Sequence, residues 1–481
     1  MSQLEDKECG RNAYQPSQSS FLELFVLSES GKPIYSYSKR EDIFTLLPLC
    51  QALLNCFQDT LKDTIRYIIT KSGLKIIFSH RSPLIFVAVT HVFSGIDGNI
   101  LVNQIHAQIV SVITDKTLHS VFEQRATFDL RRLLTGNEKM VHILIEQGFI
   151  LKPTICWSSQ PEPVDVTKLP SMELLQMVND DPHTRGYLCS SASYQRNHAN
   201  RAMIPIYPMV RTVRDSVTNA ILSSISAGKS KILFGILMVI EPDEKGNSEE
   251  DLIRTKSEKY PHIRLMSIAN VNSKSAKLNP LDLQLIECLV MALQVQLFNV
   301  ESLWLPLCLP RIDCSAFMHG HISNLNQTSA PSYLCLVLLT SDKEDFHNCQ
   351  VVKNNLSERL NRIKLNSSPL AELNLPCIQF FWYMNQRFQS VFRHSYPSFD
   401  VIKLSHLIHY MASRMISSRL KMFWFRSDYY KIVLLGWHTS TFQLYVQLDG
   451  STSKSMSLSA AHTIIKWIKE EEHKLALRDY I

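Results

Sequence analysis

Glycine is scarce, 14 in 481 residues, which argues against glycine-rich phosphate cradles and active-site turns that depend on glycine. The eleven cysteines are an odd number with no CxxC spacing. Most, including Cys50, Cys288, Cys308, Cys335 and Cys377, stand in apolar runs where a free thiol behaves as a small buried hydrophobe, so a reducing compartment is expected. No uncharged apolar run reaches the roughly 18 residues that a membrane-spanning helix needs. The N-terminal MSQLEDKECG has no apolar signal core, position 2 is Ser where myristoylation needs Gly, and the final RDYI has no prenylatable Cys. These absences imply a cytoplasmic protein that touches membranes only peripherally.

Clustered basic residues interleaved with aromatics are missing as well. Lys and Arg number 15 against 15 acidic residues over positions 1–150, 16 against 15 over 151–300, and 19 against 14 over 301–481. That diffuse excess excludes a nucleic-acid footprint and leaves room for a weak attraction to anionic or phosphoinositide membranes.

Catalytic patterns fail one by one. Gly228-Lys229-Ser230 resembles half of a phosphate loop, but position 223 is Ser where that loop needs Gly, and the motif precedes a strand instead of following one. His319 and His321 project to one face of a strand with no third ligand at suitable spacing, and His406 and His409 share a helix face. Both pairs read as structural. There is no GxSxG elbow and no activated cysteine signature, and the carboxylate runs Asp180-Asp181 and Glu470-Glu471-Glu472 look solvated. The chain reads as a binding protein, not an enzyme, with no cofactor and no metal.

What is present is core-forming sequence, 45% hydrophobic and 20% charged, long enough for two to four domains. Phe21 to Ser38 spells a β-hairpin, with Ser28-Glu29-Ser30-Gly31-Lys32-Pro33 supplying the turn. Leu22, Leu24 and Val26 share one face of its first strand, Phe25 and Leu27 the other. Two apolar faces suit a strand covered on one side by a helix and on the other by a partner polypeptide or a neighbouring domain. A helical pattern from Ile43 to Phe57 follows, with Pro48 either in its first turn or kinking it. A second hairpin turns at Lys71-Ser72-Gly73, His80-Arg81-Ser82-Pro83 breaks the chain, and the apolar run Leu84–Val89 reads as a central strand. Helical spacing then continues from Ile100 to Gln147. The order ββαβββαα resembles a longin domain.

Residues 1–20 read as disordered and 150–202, rich in Pro and Ser, as an irregular linker carrying the anchor candidate Trp157. A second unit, 203–300, begins with a helix over 210–225. Strands over 232–240 and 263–271 flank an acidic loop over 241–258, and Asn279-Pro280 opens a helix to Phe298. A third, 301–481, takes strands at Phe317–Ile322, Leu334–Leu339, Ile378–Tyr383, Met422–Phe425, Lys431–Trp437 and Phe442–Leu448, with helices at Asp342–Ile363, Leu404–Ser418 and Ser459–Leu477. The fold class is α+β: three longin-like domains, each a small mainly antiparallel sheet packed with helices.

The blocks FVLSESGKPIYS, RSPLIFVAV, FDLRRLLTG, VRDSV, WLPLCLP, HGHISNL, SDKEDF and IIKWIKEEEHKL, in this order from residue 21 to 477, resemble the SAND family, the Mon-one vacuolar fusion proteins. The resemblance implies three longin domains and an obligate heterodimer with a Ccz-one-like longin protein. It also implies guanine nucleotide exchange on a late-endosomal Rab-seven class GTPase, with recruitment to endosomal and lysosomal membranes. The paired first domains would form the GTPase platform. On the matching blocks, Ser28, Glu29, Gly31, Lys32, Pro33, Arg81, Ser82, Pro83, Asp129, Arg131 and Arg132 are the expected partner and GTPase contacts, each with a structural alternative such as turn geometry or an intrachain salt bridge. The chain departs from the family pattern after Tyr35, at Pro48, and in 150–202.

Overall fold

The computed structural model describes residues 22–37, 43–61, 65–69, 74–91, 98–125, 127–134, 136–149, 204–227, 231–241, 262–271, 277–325, 333–363, 365, 375, 377–385, 390–395, 411, 415, 420–427 and 431–475. The expected N-terminal disorder, linker 150–202 with Trp157, Gly228-Lys229-Ser230, Asp180-Asp181, the turn Lys71-Ser72-Gly73 and the His406/His409 pair lie outside these residues. So do the acidic loop beyond Glu241 and all of helix 404–418 except Met411 and Met415.

The first sheet is built from β1 (Leu22–Ser28), β2 (Pro33–Ser36), β3 (Tyr67–Ile69), β4 (Leu74–Arg81) and β5 (Leu84–His91) in the order β2-β1-β5-β4-β3, antiparallel throughout. α1 (Ile43–Leu61) crosses between β2 and β3, with Pro48 inside it. α2 (Gly98–Ile113), α3 (Asp115–Gln124), α4 (Arg131–Leu134) and α5 (Glu138–Phe149) follow. The period-two pattern of β1 resolves as its side chains demand: Leu24 and Val26 enter the core with α2 and α5, while Phe25 and Leu27 pack with Leu54 and Cys50 of α1. Of the covers expected for the two faces, a helix on one and a partner polypeptide or a neighbouring domain on the other, α1 supplies the first and a helical layer shared with the second sheet supplies the other.

The second sheet is β7 (Ile232–Glu241), β8 (His262–Asn270), β9 (Ser302–Leu309), β10 (Asp313–Leu325) and β11 (Tyr333–Thr340), in the order β8-β7-β11-β10-β9. The third is β12 (Ile378–Asn385), β13 (Ser390–Ser395), β14 (Met422–Ser427), β15 (Ile432–His438) and β16 (Phe442–Asp449), extended by β6 (Ile204–Pro205), in the order β14-β15-β16-β12-β13-β6. Counted within each unit, the five strands lie in the same spatial order three times. This repeat corrects the boundary at residue 300. β11 pairs with β7 from Tyr333↔Ile240 to Thr340↔Ile232, so the strands around His319 and Leu336 complete the second sheet, and the third unit starts near Cys377. β9 and β13 were not expected as strands.

Among the helices, α6 (Arg211–Ser226) and α9 (Phe346–Leu360) pack on one face of the second sheet. α7 (Pro280–Ala292) and α8 (Gln294–Asn299) lie on the other, with Asn279 Oδ1 accepting from Leu281 N at 2.9 Å as the N-cap. α2, α5 and α7 contact one another, and α2 also packs on β9. Their side chains join residues of both the first and second sheets in one continuous core, so that a single helical layer serves two domains. Within it, Gln104 Nε2 of α2 donates to Gln284 Oε1 of α7 at 2.9 Å.

The third domain attaches differently. β6 pairs in parallel with β13, and the next residue, Ile206, bridges Leu265 of β8. Buried Arg214 donates to Met266 O at 2.6 Å, Tyr207 O at 2.9 Å and Lys474 O at 3.0 Å, and Met209 N donates to the same Lys474 carbonyl at 3.2 Å. Lys474 belongs to the terminal helix α10 (Lys454–Leu475). Glu471 on this helix, expected to be solvated, is buried and forms an ion pair with Lys474, whose Nζ lies 2.8 Å from Oε2. No helix among the described residues is long and apolar enough to cross a membrane.

Candidate binding site

Three segments meet at one end of the first sheet. In the β1–β2 turn, Gly31 has φ +80, a left-handed conformation that glycine adopts without steric cost. Its N–H donates to Ser28 O at 2.9 Å, and Ser28 N donates to Lys32 O at 2.9 Å. The buried Ser28 hydroxyl accepts from Lys32 N at 3.0 Å and lies 2.8 Å from Ser30 Oγ. Ser28 and Gly31 therefore shape the turn, and the side chains that the turn presents outward are Glu29, Ser30 and Lys32.

The β4–β5 turn, Ser82-Pro83, stands beside it. Glu29 N donates to Pro83 O at 3.1 Å, and Glu29 Oε1 lies 2.6 Å from His80 Nε2. Strand β4 runs on through Arg81, so the break expected at His80 narrows to two residues. Pro83 is buried, Ser82 exposed. Arg81 reaches across to α2, its Nη2 donating to Asn103 Oδ1 at 2.6 Å.

The third segment precedes α4. Lys32 Nζ donates to Thr127 O at 2.5 Å, which brings the first turn to this loop. Asp129 receives a bidentate pair from Arg131, with Nε and Nη2 each at 2.9 Å. The Arg131 guanidinium, with Lys32 nearby, holds the Asp129 carboxyl below its usual range, and Asp129 in turn raises Arg131. Arg131 and Arg132 are both exposed.

All eleven expected residues thus fall on one rim, which exposes Glu29, Lys32, Arg81, Ser82, Arg131 and Arg132. Ser28, Gly31 and Pro83 support it from below. Four residues of the rim went unforeseen as contacts: His80, Asn103, Thr127 and Gln51, whose Nε2 reaches Glu29 O at 3.4 Å. The rim offers charge of both signs on an open surface. Among the described residues, no group of three His, Cys, Asp or Glu is arranged to hold a metal ion. His319 stacks on Trp304 with ring centroids 5.6 Å apart, while His321 is buried and bonds to Gln350 Oε1 at 3.1 Å.

Three sheets of one strand order, each flanked by helices, define a triple-longin protein. Residues 23–144, 264–358 and 383–472 match, in turn, the first, second and third longin domains of FUZ, MON1 and HPS1. The chain belongs to this triple-longin family. It is 28% identical over 474 residues to Protein SAND of Takifugu rubripes, covering 94% of this chain and 75% of that protein. To vacuolar fusion protein MON1 homolog A of Gallus gallus it is 28% identical over 475 residues, 94% of this chain and 71% of the relative. MON1 homolog B of Mus musculus is 24% identical over 493 residues, covering 95% and 74%.

Proposed function

We propose that this chain acts in membrane trafficking as one subunit of a heterodimeric guanine nucleotide exchange factor. Its partner would be a Ccz-one-like longin protein and its target a Rab-seven class GTPase, on endosomal and lysosomal membranes that it joins peripherally. The observation that carries the reading is the convergence of the β1–β2 turn, the β4–β5 turn and the loop before α4 into one exposed rim, on a chain whose relatives are named for vacuolar fusion. An exchange factor breaks no covalent bond. It accelerates nucleotide release by binding the nucleotide-free conformation of its partner more tightly than the loaded one, and the rim's exposed charges are groups of the kind that steer and orient such an encounter.

The test is release of labelled GDP from a panel of Rab GTPases by the chain co-purified with its longin partner. Release well above the spontaneous rate is expected for the Rab-seven class. Reversing Arg131 and Arg132 together to Glu should slow it by about tenfold or more, with the thermal transition lowered only slightly because the Arg131–Asp129 pair that is lost is exposed. A folded complex that leaves GDP release at the spontaneous rate replaces this reading with that of a non-catalytic longin scaffold or tether.

A further inference from the structure

The open edges of the three sheets are not alike. Among the described residues, the first sheet ends in β2, four residues opening with Pro33, and β3, three residues long. One edge of the second sheet, β8, is met by Ile206, and the other, β9, carries Pro306 in its middle. On the third sheet, β6 is two residues including Pro205. Short strands and prolines are the devices that keep exposed edges from pairing with other chains. The remaining edge, β14, has neither, and no described strand pairs with its outer side: it is the six residues MFWFRS. Leu420 and Met422 at its start are 37% and 38% exposed, and Met456 at the beginning of α10 is 55% exposed.

The register of β14 on β15 sorts its side chains. Met422, Trp424 and Arg426 oppose Trp437, Leu435 and Val433 and lie on the α10 face, where Trp424 Nε1 donates to Ser457 Oγ at 3.2 Å. Phe423 and Phe425 pack on the opposite face with Met411 and Met415. The strand reads almost the same in both directions about Trp424. An antiparallel pair of identical strands keeps each residue on its own face only if the two-fold axis passes through a residue position. With the axis at Trp424, Trp424 opposes Trp424 of the second copy, Phe423 opposes Phe425, and Met422 opposes Arg426. Aromatic cross-strand pairs are favourable, and no like charges face each other.

We propose that β14 pairs antiparallel with β14 of a second copy of this chain, joining two third domains edge to edge through one continuous sheet. The interface is isologous, as a two-fold pair requires, and leaves the rim of the first domain free. It stands independently of the exchange-factor reading.

Sedimentation of the full chain over a concentration series tests the pairing. The wild type should form a reversible dimer. Met422→Lys sets a lysine against Arg426 of the other copy at both symmetry-related positions and should weaken the dimer by about tenfold. Adding Arg426→Glu should restore it. Trp424→Cys places the new thiol opposite itself, within disulfide reach at the spacing of paired strands, so mild oxidation should cross-link this variant above the background set by the native cysteines. A wild type that stays monomeric when concentrated, together with no gain in cross-linking by folded Trp424→Cys, overturns the proposal and leaves the edge to solvent or to a different polypeptide. Dissociation by Met422→Lys that Arg426→Glu fails to reverse overturns the stated register.

Discussion

The junction between the first and second domains and the junction between the second and third are built from opposite materials. At the first, α2 is buried on nearly every side, with Leu101, Val102, Ile105, Ile109 and Ile113 shared between two sheets. Even polar Gln104 and Gln108 of this helix are buried, and the core it enters is common property: neither domain can expose that layer without losing apolar burial of both. At the second junction, among the described residues, the ties are one main-chain carbonyl, Lys474 O, held by Arg214 and by Met209 N, together with one short parallel strand and a single bridge. Hydrogen bonds exchange for water at small net gain, whereas apolar area returned to water is lost outright. The first two domains should therefore unfold as one cooperative unit and the third as another.

The strongest blow to this division is a cavity in the shared layer. Ile105 is fully buried, and Ile105→Ala should cost about 2–5 kcal/mol. Calorimetry should show the transition of the first two domains falling as one while that of the third keeps its position. Separate first-domain and second-domain transitions in the variant would break the comparison at its stronger end.

A smaller effect is expected at the polar junction. Arg214→Met removes the donor to three carbonyls and should cost about 2–4 kcal/mol, the range for losing charge-assisted bonds and stranding buried acceptors. The loss should appear as easier release of α10 to limited proteolysis, because Lys474 is one of the three acceptors. Equal protection of α10 in variant and wild type would mean that Met209 N, β6 and Ile206 hold the third domain without Arg214.

How far the chain can be read in advance follows the same division between apolar pattern and polar contact. The faces of β1, the cap at Asn279 and the continuous apolarity of β5 were legible because burial writes itself into residue spacing. β9 was not, since Pro306 interrupts SLWLPLCL and an edge strand tolerates the missing donor that a central strand would not. That one omission moved the domain boundary, since without β9 the strands at His319 and Leu336 have no visible place in the second sheet. On the rim, Gly31 was legible from turn chemistry. The His80–Glu29 pair and the Lys32 bond to Thr127 O join positions 51 and 95 residues apart, one through a backbone carbonyl, which any residue can supply and no spacing announces.

The finest probe of the two-unit picture is Asp282, in the first turn of α7 within the shared layer. Its side chain is fully buried. Oδ1 accepts from Arg311 N at 3.2 Å, and Oδ2 has no hydrogen-bond partner. Burial pushes the carboxyl up from 3.8 to about 6, against the pull of Arg311. A carboxyl held more tightly protonated in the folded chain than in the unfolded one destabilises the fold when ionised. The penalty is full above about pH 6, shrinks as pH falls below that value, and vanishes below the unfolded value of 3.8. Asp282→Asn keeps the acceptor for Arg311 N and removes the charge. It should stabilise the unit of the first two domains by about 1–3 kcal/mol at neutral pH, and by roughly half as much near pH 5. The transition of the third domain should not move at either pH, because among the described residues the third sheet meets the helix of Asp282 only at the two-residue strand β6. A shift of both transitions together would mean that the carbonyl ties at Arg214 transmit the gain, and the three domains would then unfold as one cooperative body.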